Sequence, residues 1–323
     1  MDITRRGFLE AAAVGAVVVP TLGAGPRPKI PTRPFGKTGL EVSILGFGSG
    51  SRFLMYEDED KALEALACAI DLGITYIDTA HAYGRGKSEE RIGRLVPARR
   101  REIVLATKLP GRNADEARRQ LELSLKRLRT DRLDVLHIHA LRDEDDLAAI
   151  EAPDGVLKAL YEARDQKVAR AIGITCHAAP AALKAALERH DFDCTQMALN
   201  AAMARMVEDQ AGMKATRMPA GGFEELALPV AVRKRLGVIA MKVFGQDQLV
   251  DAAPVEKLLA YALSLPVSLA SCGMPKVEFI ERNALLARDF RPMPAAERRR
   301  LTESIAAERK LSLREFFRDH IDA

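Results

Sequence analysis

Eight short apolar runs recur along this chain, and longer segments of helical period follow them; no other feature narrows the possible folds as much. Read as strands, the runs are Val42 to Gly46, Thr75 to Asp78, Ile103 to Lys108, Leu133 to His139, Ala171 to Thr175, Cys194 to Leu199, Val238 to Lys242 and Val267 to Cys272. Between them, Leu63, Leu66 and Ile70 recur at helical spacing ahead of Gly73, and Leu121, Leu125 and Leu128 follow Asn113 and Glu116 in capping positions. Such alternation calls for a parallel sheet, and 323 residues accommodate an α/β fold closed as a (β/α)8 TIM barrel. An open doubly wound sheet is the competing arrangement. It usually carries a Gly-rich pyrophosphate turn, and no GxGxxG follows a strand here; "GFGSGS" at 46–51 is the nearest approach.

Three further stretches complete the organisation. "RPFGKTGLEVS" at 33–43 reads as an N-terminal β-hairpin placed to plug the barrel's bottom. Residues 200–222 make a connection long enough for a lid or binding loop, in which Met203, Met206, Met213 and Met218 offer an adaptable apolar surface. Two helical patterns after Pro292 give a C-terminal helical extension. The expected division is a signal segment over 1–26, the barrel over 27–292 and the extension over 293–323.

The first segment runs from Thr4-Arg5-Arg6-Gly7-Phe8-Leu9 through an apolar stretch, Ala11 to Val19, to Pro20 and small residues at Gly23 to Gly25, the order of a secretory signal. Its apolar stretch is too short to span a bilayer, so no permanent membrane span is expected. "TRRGFL" resembles the twin-arginine motif, which implies the twin-arginine export machinery as a partner and a periplasmic destination. The net charge of +4 is mild, with Arg scattered along helical faces; Arg99 to Arg101 and Arg298 to Arg300 read as solvated helix ends, and no nucleic-acid partner is expected. The four Cys, at 68, 176, 194 and 272, have no CxxC spacing, which argues against an iron–sulfur cluster or zinc ribbon. Export would permit a disulfide, but the spacing selects no pair.

In a barrel of this kind the C-terminal strand ends form the functional face. Asp78, Lys108, His139, Thr175 and Lys242 stand at such ends, and parity turns Val135, His137 and His139 inward. Asp78, Lys108 and His139 end three consecutive strands and should converge, with Tyr83 brought in by the loop after Asp78. The set suits proton delivery to a carbonyl. A phenol becomes a better acid beside an ammonium, the ammonium keeps its charge beside a carboxylate, and an imidazole can orient the substrate oxygen. Nothing in it supplies a hydride, so a nicotinamide cofactor has to be added.

"YIDTAHAYGRGKSEERIGRLV" at 76–96, "LATKL" at 105–109 and "RLDVLHIHAL" at 132–141 resemble the aldo-keto reductases, and the resemblance runs from Arg33 to about Pro292. It implies a (β/α)8 enzyme that reduces a small-molecule aldehyde or ketone with NADPH. Asp78, Tyr83, Lys108 and His139 would be the catalytic tetrad, with Tyr83 as general acid. "FGKTGLEVS" and "AMKVFG" at 240–245 are similar to a bacterial branch whose members often carry export signals. For the cofactor, Thr175 and Cys176 stand where Ser-Asn usually holds the nicotinamide amide, Gln196 matches another amide contact, and Met241 replaces a stacking aromatic. Lys242 is expected toward the pyrophosphate, Gly273 at the phosphate turn and Asn283 at the adenine. Arg282 replaces a customary Glu, Phe279 stands where an Arg often meets the 2′-phosphate, and Lys276 is the available substitute, so NADP(H) is expected with NAD(H) left open.

Two other functions compete. One is an exported, non-catalytic binding protein on a reductase scaffold. The other is a metal-dependent barrel hydrolase using H-x-H at 137–139, among the His at 81, 137, 139 and 177. Such sites need carboxylates from other strands and Lys108 would repel the metal, so no metal ligand is assigned and His137 reads as a hydrogen-bonded core histidine.

Overall fold

The strands of the central sheet are almost wholly buried, as strands covered on both faces must be, and apart from two longer ones none exceeds six residues. The computed structural model describes residues 29–202 and 221–318. The expected signal segment and Met203, Met206, Met213 and Met218 lie outside the described residues.

Eight parallel strands close into a barrel: β3 (Leu45–Gly48), β4 (Tyr76–Asp78), β5 (Val104–Leu109), β6 (Leu133–Leu141), β7 (Ala169–Cys176), β8 (Cys194–Ala198), β9 (Gly237–Met241) and β10 (Leu269–Gly273). β10 pairs with β3 to complete the ring, in register Ala270 to Leu45 through Gly273 to Gly48. The expected first strand, Val42 to Gly46, is divided. Glu41–Ser43 is β2, antiparallel to β1 (Thr32–Pro34), and the barrel strand begins only at Leu45. An apolar run does not reveal the break, because Val42, Ile44 and Leu45 are all buried, on different surfaces.

The hairpin closes the barrel's bottom as expected. Its Phe35, Leu40 and Val42 join Tyr76, Val104 and Ala106 in a cluster inside the ring. Gly36 makes this seat possible: its φ is +57°, and a Cβ there would lie 2.3 Å from Gly237 N. A second, larger apolar layer fills the space between strands and helices.

The helices follow their sequence signals. Asp58 accepts from Asp60 N and Lys61 N to start Glu59–Asp71, whose buried stripe is Ala62, Leu66, Ala69 and Ile70, with Leu63 at its margin. Asn113 caps Ala114–Leu128 in the same way, accepting from Asp115 N and Glu116 N. Helices Ala295–Ser304 and Ala307–Arg318 occupy the expected extension. Among the described residues, no helix is long and apolar enough to cross a membrane.

Candidate active site

Strand parity and register bring Asp78 and Lys108 to adjacent points of the upper barrel, where both are almost fully buried. Lys108 Nζ lies 2.8 Å from Asp78 Oδ1, donates to Thr79 O at 2.7 Å and meets Tyr83 Oη at 3.3 Å. Its three protons are thereby directed at a carboxylate, a carbonyl and the phenol. The ammonium also sits 4.8 Å from the centre of the Tyr83 ring, and the His139 ring packs edge-on against that ring at 5.6 Å. The second carboxylate oxygen, Asp78 Oδ2, accepts from Gln196 Nε2 at 2.9 Å and Ser271 Oγ at 3.3 Å. The four side chains named for catalysis are therefore in one continuous cluster.

Local structure aims each of them. Tyr83 opens a tight turn in which Gly84, Arg85 and Gly86 all have positive φ. That turn is held from the neighbouring helix: Arg127 donates to His81 O and Arg85 O and pairs with Glu89 at 3.3 Å, while Glu89 accepts from Thr107 Oγ1 at 2.7 Å. His139 precedes a break in the β6–β7 register, where Ala140 has a φ of +51°. Ala140 N donates to Thr175 Oγ1 at 2.7 Å, and Arg112 donates to the carbonyls of His139 and Ala140. Asp146 fixes Arg112 in a two-point pair; burial opposes ionisation of this carboxyl, but Arg112 and Arg142 overcome it and hold its pKa at about 2.

A cleft opens above this cluster, lined in part by Asp78, Tyr83, Gln196, Met241, Lys242 and Gly273. Gln196 Oε1 is buried with no hydrogen-bond partner among the described residues, so the cleft contains a waiting acceptor. Four of the residues assigned to the cofactor thus share one wall system. The other four do not line it. Thr175 is bonded to the Ala140 backbone, Lys276 is exposed just before the helix Val277–Arg288, and Asn283 is buried within that helix, accepting from Arg282 Nε. Cys176 is turned out of the barrel into the helix-facing layer, where its thiol meets Leu141 O at 3.2 Å and burial pushes its pKa up to about 12. Parity explains the correction: Thr175 faces inward, so its neighbour faces outward.

Sequence reasoning missed Arg52, which crosses the cleft to Gln246 O at 3.0 Å and Asp247 at 2.6 Å, and it missed Ser271. Inward parity on β10 signals Ser271; nothing local signals a contact between Arg52 and residues nearly 200 positions away.

His137 departs from its expected role. It lies inside the barrel one layer below His139, fully buried, yet neither ring nitrogen has a partner among the described residues. Gly173 makes room for it, since a Cβ there would come within 2.6 Å of His137 Nδ1 and of Cys194 Sγ. Burial, then Lys108 and His139, drive its pKa well below the ordinary 6.5. Below that pH the unfolded chain binds a proton that the native imidazole refuses, so stability falls with acidification by about 1.4 kcal/mol per pH unit. Replacing His137 with Leu removes two unpaired polar atoms; it is expected to raise stability at neutral pH and flatten this acid limb. Urea unfolding at about pH 7.5 and about pH 5.5 reads both effects, and an unaltered acid limb would assign the protonation to another group.

The model of the family described as Aldo/keto reductase matches residues 45–216. The aldo-keto reductase YhdN of Bacillus subtilis is 39% identical over 153 residues, which cover 43% of this chain and 44% of that protein. The chain spans about half the length of the first curated relatives it matches. Among solved structures, an aldo-keto reductase from Pseudomonas aeruginosa is 29% identical, with a TM-score of 0.65 over 81% of this chain and 97% of that one. The aldo-keto reductase of Klebsiella pneumoniae in complex with NADPH has the same fold, at 22% identity and a TM-score of 0.65 over 84% of this chain and 94% of that one. With the family match extending over more than half of a closed eight-stranded barrel, this chain belongs to the aldo/keto reductase family.

Proposed function

We propose that the protein is an NADP(H)-dependent oxidoreductase that reduces an aldehyde or ketone to the alcohol, with Tyr83 as the proton donor. The observation that carries this reading is the contact chain from Asp78 through Lys108 to Tyr83 Oη at the edge of the cleft. Tyr83 transfers its proton from Oη to the carbonyl oxygen, and Lys108 stabilises the phenolate left behind. Asp78 keeps the ammonium paired in a site that excludes water. His139, packed against the Tyr83 ring, orients the substrate oxygen. A nicotinamide held in the cleft by Gln196, Met241 and Lys242 would supply the hydride for the carbonyl carbon.

The residues present fit that cofactor. The unpartnered Gln196 Oε1 suits a carboxamide N–H, Met241 offers an apolar surface, and Lys242 brings a cation to the same cleft. Lys276, exposed beside a helix N-terminus, suits the 2′-phosphate, consistent with the NADPH held by the Klebsiella relative. The twin-arginine-like start supports export of the folded protein to the periplasm, with its nucleotide loaded beforehand and exchanged rarely.

Calorimetric titration of the nucleotide-free chain from Arg27 onward, stripped by unfolding and refolding, with NADPH and NADH tests the cofactor; the absence of Trp makes intrinsic fluorescence a poor reporter. NADPH is expected to bind at micromolar concentrations or tighter, more tightly than NADH, with Lys276→Ala narrowing the difference. Failure to bind either nucleotide would leave a non-catalytic binding protein as the better reading.

A further inference from the structure

The pole of the barrel opposite the cleft carries a second concavity, of about 600 Å³. Six cations line it: Arg100, Arg101, Arg132, Arg164, Lys167 and Arg170. They come from the approaches to β5 and β6 and from the approach to β7 and its start, where Arg170 is the second residue. The one acid among the lining residues, Asp134, is already committed, pairing with Arg100 at 2.8 Å and accepting from Leu105 N at 2.8 Å. Arg164 is likewise paired, with Asp191 and Asp193. Among the described residues Arg101, Arg132, Lys167 and Arg170 have no carboxylate partner, and Arg100 Nε is buried without an acceptor. Leu40 of the hairpin, with Ile103 and Leu133, gives the cavity an apolar floor.

Like charges gathered in a concave, partly apolar site repel one another more than on an open face, since less water screens them. Solvated helix ends, as Arg99 to Arg101 read in isolation, would spread apart; here two neighbouring strand approaches bring further cations to the same hollow. Guanidinium forks match phosphate oxygens in pairs, and the volume is that of a small-molecule site.

We propose that this concavity is a binding site for a ligand bearing two or more phosphate groups, distinct from the cleft, with the apolar floor receiving the uncharged part of the molecule. The phosphate belongs either to a free metabolite or to a lipid headgroup, and the chemistry that recognises it is the same.

Inorganic pyrophosphate is the probe for the free form, titrated into the full chain at low ionic strength. The triple variant Arg101→Gln, Arg132→Gln, Lys167→Gln is the comparison, together with Lys242→Gln in the cleft. Binding that weakens about tenfold or more in the triple variant, persists in Lys242→Gln and fades with added salt supports the proposal. Sedimentation with anionic but not zwitterionic phospholipid vesicles, lost in the triple variant, supports it with a lipid as the source. The side chains replaced are exposed and none touches the tetrad, so melting temperature and any carbonyl turnover are expected to be unchanged. Absence of both kinds of binding, or pyrophosphate binding lost only in Lys242→Gln, overturns it.

Discussion

Tyr83→Phe is expected to lower the rate of carbonyl reduction by about 10²–10⁴-fold, the usual contribution of a positioned general acid, while leaving nucleotide affinity within a few-fold of the parent. The substitution removes one oxygen and keeps the ring that lies under Lys108 Nζ and against His139, so the wall of the cleft survives. Turnover under single-turnover conditions, beside calorimetric titration of the nucleotide, separates the two effects. A variant that reduces carbonyls nearly as fast as the parent would remove Tyr83 from the role of proton donor, whatever the nucleotide does.

The second large effect concerns folding as well as rate. Lys108→Met leaves the carboxylate of Asp78, which is 3% exposed, without its cation. The loss of one partner from a buried pair is expected to cost about 3–5 kcal/mol, because the remaining charge stays out of water. Adding Asp78→Asn to Lys108→Met should recover part of that loss by discharging the stranded group, without restoring activity. Denaturant unfolding of the two variants and the parent checks this, and a Lys108→Met protein less than about 1 kcal/mol weaker than the parent would contradict it.

The barrel was legible because its strands are punctuated by turns and helices whose caps are local: Asn113 announces its helix within three residues. The cluster proposed for catalysis was legible because consecutive strands are neighbours, so Asp78, Lys108 and His139 had to meet. Less legible was whatever the chain closes over long distances or through unusual backbone. Neither the partnership of Arg52 with the Gln246 and Asp247 turn nor the left-handed Ala140 that follows His139 leaves a mark in an apolar pattern. The break at Ile44 was hidden because both sides of it are buried. Cys176 is a different case. Its outward orientation follows from alternation along β7, and similarity to a motif pointed the other way.

Asp78 has one further consequence. It is held by Lys108 nearby, by Gln196 at a separation of 118 residues and by Ser271 at a separation of 193. During synthesis the first of these partners follows within a few seconds' worth of chain, whereas the last emerges only with the strand that seals the ring. The carboxylate therefore cannot reach its final arrangement on a partly made barrel. A cluster so wired is completed late and all at once, and a truncated or stalled product carries Asp78 and Lys108 without the contacts that join them to the far strands.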